Sequence, residues 1–156
     1  MIIIGIDPGS TRIGYGIIKF KKEPELIDYG SINLKRGQKS AGELLSEVIS
    51  ELQSLIKKYQ PELAAIEKLY FSKNVKTGIE VAQTRGAIIS ELAQKNILVK
   101  EFGPSEVKLT VAGYGLADKK GVAKMVKKIL KIENLSGYDD ASDALAIAIT
   151  AAYNKR

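Results

Sequence analysis

The sequence predicts an α/β fold, a mixed five-stranded sheet flanked by helices, on three observations. Residues 2–34 form three successive segments rich in β-branched and aromatic residues, separated only by short, turn-rich joins. Two further short apolar runs lie at 63–66 and 97–102. Between and after them, apolar residues recur at helical spacing. Three strands followed by alternating helices and strands belong to one mixed sheet covered by helices.

Taken in order, residues 2–7 read as a buried strand ending on Asp7, and residues 13–20 and 25–34 continue in period-two style. The joins Pro8-Gly9-Ser10 and Lys21 to Pro24 are short enough to make these three antiparallel neighbours. From about Ala41 to Tyr59, Leu44, Leu45, Val48, Ile49, Leu52, Leu55 and Ile56 trace an amphipathic helix, with Pro61 just beyond its end. The strand 63–66 leads into Glu67, then a basic and aromatic loop, then a helix over about 75–95. Residues 97–102 are the fifth strand. Pro104 suits the first turn of a helix reaching about Ala112, which Gly113 and Gly115 end. Two more helices cover about 118–131 and 140–153. In the former, Lys120, Lys124, Lys127 and Lys131 lie opposite Val122, Val126 and Ile129. With no linker, repeat or low-complexity segment, residues 1–156 are expected to form one domain.

Composition narrows the chemistry. The chain has neither cysteine nor histidine, which excludes disulfides, thiolate or imidazole metal sites, and cysteine or histidine catalysis. Acid-base or metal work must run on carboxylates, lysine, tyrosine, serine or threonine. A net charge of +6 favours a polyanionic partner, with nucleic acid first. The apolar start Met1 to Ile6 is too short for a signal peptide or a membrane span, so a cytoplasmic protein without membrane association is expected.

Asp7 and Glu67 each follow an apolar strand, at the carboxyl edge where open α/β sheets bind ligands. Acidic residues are depleted in strands and costly to bury unpaired, which marks these two. Asp140 and Asp143 share a face at the start of the last helix, where the helix dipole alone also favours acids. If the first and fourth strands are neighbours with the last helix beside them, four carboxylates converge. Oxygen ligands of this kind suit Mg2+ or Mn2+ and phosphodiester hydrolysis.

Gly5-Ile6-Asp7-Pro8-Gly9-Ser10, Gly14-Tyr15-Gly16, Ala65-Ile66-Glu67, Gln83-Thr84-Arg85-Gly86 and Asp140-Ala141-Ser142-Asp143-Ala144-Leu145-Ala146 together resemble the RuvC family of Holliday junction resolvases in order and spacing. The resemblance spans essentially the whole chain. It implies a ribonuclease H-like fold and a homodimeric endonuclease that nicks four-way DNA junctions. Asp7, Glu67, Asp140 and Asp143 would then be catalytic and metal-binding, with Mg2+, replaceable by Mn2+, two to a site. Lys108 and Lys119 match basic positions near the scissile region. Tyr70 and Phe71 match DNA-contacting positions, and Lys73, Lys76 and Arg85 are further expected DNA contacts. The RuvA and RuvB branch-migration proteins are the implied partners.

The residues carry part of this reading alone. The loop Lys68 to Lys76 interleaves cations with two aromatics, a pattern suited to phosphates and stacked bases, although either ring could instead belong to the core. Gly78, Ala82, Gly86 and Ser90 leave a stripe without bulk, against which a second subunit or the chain's own sheet could pack. Competing functions are a nucleotide-binding actin-like or sugar-kinase module built on the turn from Asp7 to Thr11, an RNA-processing nuclease of the same fold, and a junction-binding scaffold that does not cut. The first would need a second domain to close over the nucleotide.

Overall fold

The computed structural model describes residues 1–35, 37–70, 75–137 and 139–154. Its elements are β1 (Ile2–Pro8), β2 (Arg12–Phe20), β3 (Pro24–Asn33), α1 (Ala41–Tyr59), β4 (Leu63–Glu67), α2 (Val75–Gln94), β5 (Leu98–Phe102), α3 (Pro104–Ala112), α4 (Lys119–Leu130) and α5 (Asp139–Tyr153). The strands lie in the order β3-β2-β1-β4-β5. β1, β2 and β3 are antiparallel, and β4 runs parallel to both β1 and β5. None of the described helices is long and apolar enough to cross a membrane.

Strand alternation sorts the two faces of the sheet. Ile4, Ile6, Ile13, Ile17, Ala64 and Ile66 pack with Val48 and Leu52 of α1 and Ile88 and Leu92 of α2. Ile3, Ile18, Leu63 and Ala65 pack on the other face with Val107 of α3, Val122 and Val126 of α4, and Leu145 and Ile149 of α5. Because side chains alternate with period two, Asp7 follows Ile3, and Glu67 follows Leu63 and Ala65, onto the α5 face. β1 and β4 are in register from Ile3 with Leu63 to Ile6 with Ile66, so the two carboxylates leave adjacent strands at the same edge.

Helix α5 is buried on nearly all sides, with Ala144, Leu145, Ala146, Ile147, Ala148 and Ile149 inaccessible to solvent. It comes this close because the sheet beneath it lacks side chains. A Cβ on Gly5 would lie 2.0 Å from the Ala144 carbonyl oxygen, and one on Gly14 would lie 2.0 Å from that of Asp140. Both obstacles are main chain and cannot rotate away, so Gly5 and Gly14 set the depth at which α5 delivers its acidic first turn to the end of β1.

Two sequence readings change. The four-residue stripe on α2 is not one surface: Gly78 is buried, Ala82 is half-buried, and Gly86 and Ser90 are exposed. Helical residues at i, i+4, i+8 and i+12 drift by about 40° per step, so the stripe winds from the sheet side to solvent. On α4 the exposed lysines are Lys119, Lys120, Lys124 and Lys128, Lys127 is half-buried, and Lys131 follows the helix as its left-handed C-cap.

Candidate active site

A cavity of about 220 Å³ opens at the carboxyl edge of β1 and β4, lined by Asp7, Glu67, Lys108, Lys119 and Asp143 among others. Each arrives by a different route. Asp7 and Glu67 are the last inward residues of their strands, Lys108 lies in α3, Lys119 is the first residue of α4, and Asp143 lies one turn into α5. Pro104, Val107, Val122, Ala146 and Ile147 form the apolar wall. Only the packing of α3, α4 and α5 brings these five together.

Burial and mutual repulsion act on the acids. Asp7 is pushed up from 3.8 to about 7, first by burial and then by the charges of Glu67, Asp143 and Asp140, with Lys119 opposing. Glu67 is raised by burial and by Asp143, against Lys119 and Lys108. Lys119 Nζ donates to Asp143 Oδ2 at 3.1 Å, and this bond, with the Asp143 charge, raises the lysine. A site that places carboxylates where they hinder each other's ionisation is suited to a cation that relieves them. The donors are oxygens only, which suits a hard divalent ion. Among the described residues no three acids are already drawn into chelating geometry.

Asp140 is placed differently from the other three. Its Oδ2 accepts from Arg12 Nε at 2.9 Å, and it does not line the cavity, although its charge reaches Asp7. Sequence reasoning missed Arg12 as the partner of Asp140. The contact joins the start of β2 to the start of α5 across 128 residues, and no local pattern announces it.

Tyr70 is 64% exposed and stands over Gly103, where a Cβ would come within 3.0 Å of its hydroxyl. It lines an open cavity with Lys68, Pro104 and Glu106, and Pro104 also lines the acidic one. For Tyr70 the core reading therefore fails. Phe71 and Lys73 lie outside the described residues, and Lys76 is exposed in the first turn of α2. Arg85, expected to meet DNA, is instead held within the protein: Nε donates to the Glu67 carbonyl oxygen at 3.1 Å, and Nη2 pairs with Glu101.

Known proteins share this sequence pattern and fold. The profile of the family described as crossover junction endodeoxyribonuclease RuvC matches residues 3–151. The crossover junction endodeoxyribonuclease RuvC of Fusobacterium nucleatum is 45% identical over 151 residues, 96% of this chain and 79% of that protein. Thermus thermophilus RuvC, solved in complex with a Holliday junction substrate, superposes with a TM-score of 0.93 at 30% identity, covering 100% of this chain and 95% of that one. The yeast mitochondrial Holliday junction resolvase, at 14% identity, shares the fold with a TM-score of 0.70 over 96% of this chain and 78% of its own. The architecture is the ribonuclease H-like one of these resolvases, and a profile match over nearly the full length shows that the chain belongs to the crossover junction endodeoxyribonuclease RuvC family.

Proposed function

We propose that this chain resolves four-way (Holliday) DNA junctions by paired symmetric nicks, as a metal-dependent phosphodiester hydrolase in recombination and repair. The observation that carries the reading is the grouping of Asp7, Glu67 and Asp143 with Lys108 and Lys119 around one cavity. In it, Asp7, Glu67 and Asp143, with Asp140 beside them, hold divalent cations, Mg2+ or Mn2+, two to a site. Such cations supply an activated water and neutralise charge on the leaving phosphate oxygen. Lys108 and Lys119, which line the same cavity, bring positive charge to the phosphodiester, and the apolar lining limits competing water. The exposed Lys120, Lys124 and Lys128 extend a row of cations along α4, away from Lys119, as phosphate contacts for the DNA arm. Residues 1–156 act as one nuclease domain, in the cytoplasm, with RuvA and RuvB as partners.

The test is incubation with a synthetic four-way junction and Mg2+. Two symmetric nicks with ligatable ends are expected. Binding without cutting would leave a scaffold, and preferential cutting of structured RNA would move the enzyme to RNA processing.

Two symmetric nicks call for two active sites related by a two-fold axis, so a homodimer is part of the proposal. The exposed face of α2, with Ile79, Gly86 and Ser90, is its proposed contact. Nothing lies within 4 Å of a Cβ on Gly86, so a single subunit accommodates a side chain there and a close partner does not. Gly86→Trp should therefore sediment as a folded monomer at concentrations where the wild type is dimeric. A monomeric wild type, or a dimeric variant, would remove this surface from the proposal.

Tyr70 is proposed to stack on an unpaired base beside the scissile phosphate. Base-aromatic stacking is worth roughly 1–3 kcal/mol, so Tyr70→Ala should slow single-turnover cleavage about tenfold, by more than it weakens binding. Its exposure means that thermal stability should hardly change. Unchanged cleavage would show that the ring does not touch DNA.

A further inference from the structure

Helix α2 reaches the reaction centre through Arg85, from behind the sheet. α2 packs with Ile4, Ile66 and Val99 on the face opposite α5, and Glu101 shares the strand parity of Val99. The carboxylate of Glu67 projects to the other face, into the cavity, which Arg85 does not line. What Arg85 touches is the main chain of Glu67. Its Nε donates to the Glu67 carbonyl at 3.1 Å, its Nη2 pairs with the Glu101 carboxylate, and the side chain is only 17% exposed.

The Glu67 carbonyl stands where the sheet runs out. The ladder of β4 with β1 stops at Ile66, whereas that with β5 continues through Glu67 and Phe102, the Lys68 amide donating to the Phe102 carbonyl at 2.8 Å. A main-chain acceptor at such an edge needs a donor, and here a side chain supplies it. Nε and Nη2 lie on one edge of a planar guanidinium, so one rigid group holds the end of β4 and the neighbouring β5 at a fixed spacing. The direction of Glu67 Cα to Cβ follows from that main chain, and the carboxylate follows from Cβ.

We infer that Arg85 is a positioning residue. It locks the main chain of Glu67 against β5 from the back of the sheet, and so aims the Glu67 carboxylate at the divalent cation of the acidic cavity. The inference rests on the metal-dependent reading above. It replaces the expectation that Arg85 meets DNA, since Nε and Nη2 are engaged within the protein on the face opposite the cavity. It also ties the catalytic strand to α2, the helix that carries the proposed dimer surface.

The experiment compares the wild type with Arg85→Lys, Arg85→Ala and Glu101→Gln. Three quantities are read: Mn2+ affinity without DNA by calorimetry, junction affinity against salt in chelator, and single-turnover cleavage against Mn2+. Arg85→Lys keeps the charge but cannot serve two acceptors in one plane. Groups that orient a metal ligand typically change metal affinity about 10- to 100-fold, so both Arg85 variants should lose about tenfold in Mn2+ affinity, with cleavage partly restored by excess Mn2+. Junction affinity and its salt dependence should match the wild type. Glu101→Gln should lose less, because Nε keeps the Glu67 carbonyl.

A phosphate contact would behave in the opposite way: Arg85→Ala would flatten the salt dependence by about one unit, and Arg85→Lys would behave as wild type. That result overturns the inference. So does a fall in melting temperature with Mn2+ affinity unchanged, which would make Arg85 a general stabiliser. If Arg85→Ala does not fold, Arg85→Lys and Glu101→Gln decide by the same readouts. A wild type that binds Mn2+ but cuts no junction sinks the proposed function alone, because the Arg85 comparison is read on the metal.

Discussion

Asp7→Asn is expected to reduce junction cleavage by at least about a hundredfold, some 2.7 kcal/mol of barrier, while junction affinity in chelator stays within about twofold. The asymmetry follows from position. Asp7 is half-buried in the cavity, and its pKa is raised first by burial and then by the charges of Glu67, Asp143 and Asp140. It cannot attract a phosphate, whose charge has its own sign. The lysines that can, Lys119, Lys120, Lys124 and Lys128, are exposed and keep their charge in the variant. The amide has nearly the shape of the carboxylate and removes only charge and a metal ligand. Single-turnover cleavage and filter binding on the same preparations separate the two effects. Residual activity above about a tenth would make Asp7 a structural acid, and parallel loss of binding and cutting would mean that the variant has lost its fold or its DNA surface.

The two strand acids were legible because their signal is local. A carboxylate that ends a run such as Ile2-Ile3-Ile4-Gly5-Ile6 must either be tolerated at an edge or be used, and parity then assigns its face. Two element boundaries were legible for similar reasons: Pro104 opens α3, and Gly113 closes it in the left-handed conformation. What the sequence does not carry is the meaning of contacts between distant elements. Gly5 and Gly14 could be read as parts of a motif, but their reason is the main chain of α5, more than 120 residues away. Arg12 belongs to Asp140 only once β2 and α5 cross. Arg85 was expected at the DNA, but the face of the sheet it occupies is decided by packing. The stripe from Gly78 to Ser90 failed for a geometric reason, because a spacing of four drifts around a helix that turns every 3.6 residues.

The same carboxylate that serves cleavage should weaken the metal-free protein as pH rises. Asp7 ionises near 3.8 when unfolded and near 7 when folded, so its folded-state pKa is raised. Below about pH 4 both states are protonated and the group costs nothing. Between about 4 and 7 the unfolded chain ionises first, and stability falls by roughly 1.4 kcal/mol per pH unit, levelling off above about 7. The total is on the order of 2–4 kcal/mol, which for a chain of this size corresponds to roughly 5–15 °C in melting temperature. In chelator, Asp7→Asn should therefore melt higher than the wild type at pH 8, and the gap should close on approaching pH 4. Adding Mg2+ at pH 8 should reverse the order, because the cation binds the folded wild type, displaces the proton and stabilises it by mass action, whereas the asparagine variant has lost a ligand. Melting curves from pH 4 to 8.5, with chelator and with Mg2+, read all of this on protein that need not cut DNA. A wild type and variant that melt together at every pH in chelator would mean that Asp7 sits in a more hydrated environment than its burial against Glu67 and Asp143 requires.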